Sequence, residues 1–215
     1  PLYTAILEPE VYGIADLFNS YIYLIIPVVS LMLDQGLFRF LLECREDEKR
    51  KKSLLSTVLL INIVEIIIYV IIYILIERFI GSKYKIFLLI DVIINILLNT
   101  FLQFSRGIGK NGIYAISSFL SASLTVVSNV VTLVFLRMGA WGLFISTVVG
   151  RAIALIVTMI FLKTWKYFDI KAYSKEEARR LLKYSLPFIP NQLSWWVVGV
   201  SDRTIISWFL NVAAN

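Results

Sequence analysis

Long apolar runs separated by short polar connections set the pattern of this chain. Six runs, at residues 12–33, 53–76, 86–104, 113–136, 143–162 and 185–210, reach the length of about 17–25 residues that a helix needs to cross hydrocarbon. Several are rich in Ile and Val, which favour strands in water. In lipid every backbone N–H and C=O must be satisfied within the segment, so runs of this length are read as helices. Strands of a membrane barrel would be about 10 residues long and strictly alternating, a pattern these runs lack. The predicted fold class is therefore an all-α polytopic membrane protein.

The polar residues inside those runs are not scattered. In 12–33 and just beyond it, Asp16, Asn19, Ser20, Tyr23, Pro27, Ser30 and Asp34 follow one another at steps of one, three or four, which puts them on one face of a 3.6-residue helix. That face serves either as interhelical hydrogen-bonding glue or as a wall facing water. Asp16 and Asp34 stand five turns apart on the same line, near opposite membrane faces. Asn62 and Glu65 share a face of the next run near mid-bilayer. Asp91, Asn95, Asn99 and Gln103 make a stripe at four-residue spacing on the one after. Ser117, Ser121, Thr125, Ser128 and Thr132 give the 113–136 run small hydroxyl residues suited to close helix packing.

Two arginines lie within apolar runs. Arg151 falls about 12 Å from the outer end of its helix and Arg203 about 10 Å from the outer end of the last, at the helical rise of about 1.5 Å per residue. Arg203 directly follows Asp202 on a segment interrupted by Pro187 and Pro190. An ionisable side chain at such depth costs about 2.5–3.5 kcal/mol on insertion scales and faces protein or a water-filled path. The two guanidinium groups are thus either separately neutralised structural residues or the cations of a polar cavity.

Composition sharpens this picture. The chain is 59% hydrophobic with a mean hydropathy of +0.80, against roughly 45–50% apolar for soluble domains. It carries no histidine, which removes the usual general base and zinc ligand, and so excludes a Ser–His–Asp triad or a zinc hydrolase for these residues. Cys44 is its only cysteine, so no internal disulfide forms. No cofactor is expected.

The net charge of +6 reflects topology, not nucleic-acid binding: of 21 Lys and Arg, fifteen sit in alternate connections (residues 39–52, 106–110 and 163–183) and four in the others. By the positive-inside rule the basic connections are cytoplasmic. The 39–52 segment reads as a solvated loop. SRGIGKNG reads as a tight turn despite its G-x-G-x-x-G spacing, because no strand precedes it. Ser174 and Glu177 form a capping box opening a short cytoplasmic helix. The chain opens on the short apolar stub PLYTAIL, without a signal-peptide pattern, and stops just after a span. It reads as a piece of a larger protein cut inside its first helix. Phe209-Leu210-Asn211 echoes Ile6-Leu7-Glu8, as at the start of a second half in transporters built from repeated bundles.

Three stretches carry a family resemblance: ILEPEVYGIADLFNSYIYLIIPVVSLMLDQGLFRF, FSRGIGKNGIYAISS and LLKYSLPFIPNQLSWWVVGVSDRTIISWFLNVAAN. They resemble the Wzx-like polysaccharide-biosynthesis flippases of the multidrug/oligosaccharidyl-lipid/polysaccharide exporter superfamily, over essentially the whole chain. Asp34, Arg39, Asp202 and Arg203 are the matched positions. The resemblance implies a MATE-like transporter of two six-helix lobes around a central cavity. Residues 1–162 would be the N-terminal bundle with a truncated first helix, 163–184 the cytoplasmic inter-lobe connection, and 185–215 the first helix of the second bundle.

The implied activity is translocation, not enzymatic turnover. The substrate would be an undecaprenyl-pyrophosphate-linked oligosaccharide, moved by alternating access across a bacterial plasma (inner) membrane, with other polysaccharide-assembly proteins as further partners. Guanidinium groups match phosphate oxygens through a planar fork, which makes Arg203, Arg151 and Arg39 the candidate pyrophosphate ligands. With no nucleotide-binding loop, a coupling proton or Na+ would act at an intramembrane carboxylate: Asp34 and Asp202 first, then Glu65, Asp91 and Asp16. A drug/cation antiporter of the same superfamily and a membrane-embedded glycan-assembly enzyme are the competing classes. The first would favour an acidic cavity, the second a large outer loop. A purely structural membrane subunit would leave the polar faces without a use.

Overall fold

The computed structural model describes residues 9–210, and side chains from residue 12 to residue 201. Among the described residues every regular element is helical: α1 (Pro9–Val29), α2 (Leu33–Glu43), α3 (Glu48–Ile76), α4 (Ile86–Gly107), α5 (Asn111–Val130), α6 (Ala140–Leu162), α7 (Lys175–Ser185) and α8 (Phe188–Leu210). Five segments are long and apolar enough to cross a bilayer: Tyr12–Val29, Glu48–Phe79, Ile86–Gly107, Asn111–Phe135 and Ala140–Leu162. They match the first five predicted runs, and α8 occupies the sixth. The outward surface fits lipid. Ile63, Val64, Ile67, Ile68, Ile71, Ile72, Ile74 and Leu75 on α3 are all exposed, a contiguous apolar patch of the kind that water-soluble monomers rarely present.

The first run is not one helix, as its spacing suggests. Pro27 lacks the N–H that would bond back to the carbonyl one turn earlier. The chain then breaks at Ser30–Met32, with Leu31 at φ 46° and Met32 at φ 54°, a left-handed region costly for large side chains. The buried Ser30 hydroxyl accepts from the Met32 N–H at 3.2 Å, holding the turn. Asp34 therefore opens a second helix, and its shared line with Asp16 is lost. That second helix also corrects the reading of 39–52 as a loop. Helix α2 continues to Glu43 because Leu33, Leu37 and Leu41 repeat at four-residue spacing and bury completely against Leu54, Leu55, Val58 and Phe104. Only a short turn remains before Asp47, whose carboxylate accepts from the Arg50 N–H at 3.0 Å and caps α3.

The basic connections gather at this end of the bundle. Ser56 Oγ accepts from the Asp169 N–H at 3.0 Å, and Thr57 Oγ1 accepts from the Ser174 N–H at 3.1 Å. Arg50 pairs with Glu177 at 2.9 Å and Lys52 with Asp169 at 3.1 Å. The Ser174–Glu177 capping box is half formed: Ser174 Oγ accepts from the Glu177 N–H at 3.3 Å. The Glu177 carboxylate goes to Arg50, because Thr57 already takes the N–H it would have satisfied. The Lys171 backbone N–H and then the Lys52 ammonium hold the Asp169 carboxyl below its ordinary range, while burial pushes the Cys44 thiol up. At the opposite end Phe18, Tyr84, Phe87, Trp141 and Phe144 pack ring on ring, with centroids 5.0–6.5 Å apart.

Helices α5 and α6 pack closely through the small-residue stripe. Thr132 Oγ1 lies 2.9 Å from Ser146 Oγ and donates toward the Gly142 carbonyl at 3.2 Å. A Cβ at Gly150 would fall 2.9 Å from the Thr125 backbone nitrogen, so this crossing has no room for any side chain. Past Val130 the backbone widens into a π-turn over Val131–Phe135, which carries Thr132, before the chain reverses.

Candidate functional site

A cavity of about 720 Å³ lies between α1, α4, α5 and α8, within the 300–1,000 Å³ range of small-molecule sites. Helix α1 lines it with Ser20, Tyr23 and Pro27, and the following turn and α2 with Ser30, Asp34 and Gln35. Helix α4 contributes Asn95, Asn99, Thr100 and Gln103, and α5 contributes Ser118 and Ser121. Arg151 enters from α6, and Gln192, Trp195 and Trp196 from α8. Two predicted polar stripes thus meet in one hollow.

Its polar side chains are mostly neutral hydrogen-bonding groups, set among apolar ones such as Ile26, Met32, Ile96, Leu98 and Leu102. Asn99 Nδ2 donates to Asn95 Oδ1 at 2.8 Å, a bond that uses neither the Asn95 N–H₂ nor the Asn99 carbonyl. Gln35 Nε2 donates to Asp34 Oδ2 at 2.7 Å. Gln103 Oε1 accepts from Arg106 at 3.1 Å, leaving its own amide donors. Trp196 Nε1 donates to the Ser20 carbonyl at 2.8 Å and so pins α8 to α1.

The predicted site residues fall in different places. Asp34 lines the cavity, half-buried. Arg151 also lines it, with its guanidinium donating to Asp91 Oδ2. The Asp91 side chain is 3% exposed and that of Arg151 23%. Asp91 does not line the hollow that Asn95 and Asn99 line; it lines a smaller recess with Asn19 and Thr147. Glu65 does not line the cavity but reaches it through Asn62. In the orientation that satisfies both ends of the Asn62 amide, its N–H₂ donates to Glu65 Oε2 at 3.2 Å and its carbonyl accepts from Thr100 at 2.8 Å. Asp16 is half-buried on α1 and is not part of the cavity wall. Arg39 is exposed and pairs with Glu43 one turn on, at 3.1 Å. The Asp202 and Arg203 side chains lie outside the described residues.

Trp195 and Trp196 were not legible as cavity residues. They sit in an apolar run that was read through Pro187, Pro190, Asp202 and Arg203. The adjacent tryptophans, five and six residues after Pro190, were themselves the available signal.

Such a wall can hold a ligand rich in hydroxyls and acceptors. It lacks a nucleophile paired with a base, and no group of three or more His, Cys, Asp and Glu that would hold a metal occurs among the described residues. No curated protein and no solved structure matches the chain. The multi-pass helical fold, the polar hollow and the intramembrane ion pair acquire their context from a family model described as polysaccharide biosynthesis protein, which matches residues 1–214. This multi-pass membrane chain belongs to that polysaccharide-biosynthesis family.

Proposed function

We propose that the protein is a flippase for an undecaprenyl-pyrophosphate-linked oligosaccharide, carrying it from the inner to the outer leaflet of a bacterial inner membrane. The observation that carries the reading is the cavity of about 720 Å³, in which amides and hydroxyls from α1, α4 and α5 converge among apolar side chains, inside a bundle whose α3 exposes an apolar face. Hydrocarbon excludes a glycan because each unsatisfied hydroxyl costs several kcal/mol. A polar hollow within the bundle substitutes for water along the path, while the polyprenyl chain stays in lipid. Residues 1–162 form the first lobe of a MATE-like pair, 163–184 the connection, and 185–215 begin the second. Alternating access would then come from the two lobes moving against each other.

Within that frame Arg151 and Arg203 attract the diphosphate, with Arg39 at the basic membrane face. Arg151 shares its guanidinium between Asp91 and the cavity, and its remaining N–H groups suit a phosphate oxygen. Coupling to H+ or Na+ runs through a carboxylate: Asp34 at the cavity wall, Asp202, or Glu65 by way of Asn62. Asp91 and Asp16 are secondary candidates. Deleting the gene should make lipid-linked oligosaccharide accumulate on the cytoplasmic leaflet and abolish surface polysaccharide. Complementation by Arg151→Ala or Arg203→Ala at equal expression should leave export reduced. Full export from both variants would remove the arginine assignment, and unchanged polysaccharide in the deletion strain would remove the flippase reading.

A further inference from the structure

The stretch between α6 and α7 is gripped on one side and bare on the other. Helix α6 ends at Leu162, where Lys163 turns the chain aside at φ 54°. On the inner side Thr164 is buried, and Tyr167 and Phe168 pack against the core that holds Leu41, Leu55 and Phe104. Ser56 of α3 donates to the Tyr167 carbonyl at 3.3 Å and accepts from the Asp169 N–H. Thr57, the next residue, accepts from the Ser174 N–H. Both ends of the stretch are therefore fastened at one level of α3, in the first turn of its apolar run at 53–76. At about 1.5 Å per residue that run slightly exceeds the roughly 30 Å of hydrocarbon, so its first turn sits at the boundary. The outer side of the stretch mixes apolar and cationic groups. Trp165, Ile170 and Tyr173 are exposed at 60%, 67% and 48%. Lys163, Lys166, Lys171 and Lys175 are exposed around them and form no ion pair among the described residues. Asp169, the carboxylate among them, is taken by Lys52. The exposed apolar face of α6 reaches its end at Ile160 and Phe161. Trp165 follows about 6 Å past the span, at about 2 Å per residue in a 3-10 turn, within a headgroup layer of about 5–8 Å.

We infer that residues 163–175 form an interfacial anchor for anionic phospholipid headgroups. Trp165, Ile170 and Tyr173 enter the boundary between headgroups and acyl chains, and the four lysines pair with lipid phosphates. Zwitterionic lipid satisfies the apolar side chains but offers the cations no net attraction. Each lysine near an anionic surface favours that surface by a factor of about five. A soluble acidic partner fits less well, because it would have to displace the lipid that covers the adjoining face of α6. The consequence is mechanical: the stretch through which the chain passes from α6 toward α8 is pinned to the headgroup layer. This goes beyond the substrate reading and holds whatever the cavity carries, since it needs only the membrane topology.

The test uses the intact protein in nanodiscs of phosphatidylcholine alone, or of phosphatidylcholine and phosphatidylglycerol at about two to one, and reads amide exchange in residues 163–175. At about 50 mM salt, exchange should be about tenfold slower in the anionic discs. At about 0.5 M salt, where the Debye length falls to about 4 Å, the two discs should agree within about twofold. The combined variant Lys163→Gln, Lys166→Gln, Lys171→Gln and Lys175→Gln should exchange alike in both discs, and Trp165→Ala should lose most of the protection. Unchanged exchange in α4 shows that each variant is folded, and the salt comparison decides on the wild type alone if the combined variant is not. Free inorganic phosphate at about 10 mM, about tenfold above a millimolar constant, should give no protection in phosphatidylcholine discs. Equal exchange in the two discs at low salt, a difference that persists at high salt or in the folded combined variant, or protection by phosphate alone would each overturn the anchor. All of these outcomes leave the flippase reading standing, because that reading is decided by the deletion strain.

Discussion

Replacing Arg151 with Ala strands a carboxylate. Asp91 is 3% exposed at its side chain, and its second oxygen, Oδ1, has no hydrogen-bond partner among the described residues. Breaking a buried pair by removing one partner costs about 3–5 kcal/mol, mostly because the other charge is left uncompensated. Arg151 is 23% exposed toward the polar hollow. Some water can therefore reach the vacated position, and the lower end, about 3 kcal/mol, is the expected loss. Asp91→Asn is gentler. It leaves Arg151 beside a neutral acceptor with access to the cavity, at a cost of about 1 kcal/mol. The double variant strands no charge, so its loss should fall about 2 kcal/mol short of the two single losses added together. Unfolding in mixed detergent and sodium dodecyl sulfate micelles, followed by circular dichroism, measures all three. Additivity within about 0.5 kcal/mol, or an Arg151→Ala loss below that figure, would refute the ion pair as a structural element.

Three further outcomes follow from the packing. Gly150→Ala should destabilise the bundle by about 1–3 kcal/mol through overpacking, since its Cβ would press on the Thr125 backbone; a melting temperature equal to wild type would contradict the tight crossing. Cys44 is 5% exposed and its thiol is raised by burial above the usual 9.0. The reactive thiolate is therefore scarce at pH 8, and maleimide labelling should be slow until denaturant is added; rapid labelling of native protein would contradict the buried α2–α3 turn. Asp169 has a folded-state affinity for protons below that of the unfolded chain. Its contribution to holding the 164–175 connection is thus complete above the unfolded pKa and is lost as pH falls through the lower folded value. Amide exchange in that segment should rise below about pH 3.8, the ordinary value for the group, and Asp169→Asn should abolish the step.

The membrane fold was legible because it depends on length and hydropathy, which survive without knowledge of contacts. The cavity was half legible. Polar residues at helical spacing had to face something, and the α4 amides and the α1 hydroxyls do line one hollow. Helical phase, however, carries only as far as the helix. The break at Ser30–Met32 reset it, so Asp16 and Asp34 do not share a line. Leu41 was missed as core because the charges that follow it drew 39–52 into a loop, although its four-residue repeat with Leu33 and Leu37 was in plain sight. Arg151 was marked as an intramembrane cation, but nothing in the spacing named Asp91, sixty residues earlier, as its partner.

The central claim is that this protein moves a lipid-linked oligosaccharide between leaflets. Reconstituting the intact protein into liposomes carrying the lipid-linked oligosaccharide in both leaflets, then adding a membrane-impermeant glycosidase or lectin outside, measures it directly. The account predicts that protein-free liposomes protect the inner half, whereas liposomes with the protein and an imposed ion gradient expose it progressively. If the protected half stays protected across proton and sodium gradients of either sign, with protein shown to be folded, the account is wrong.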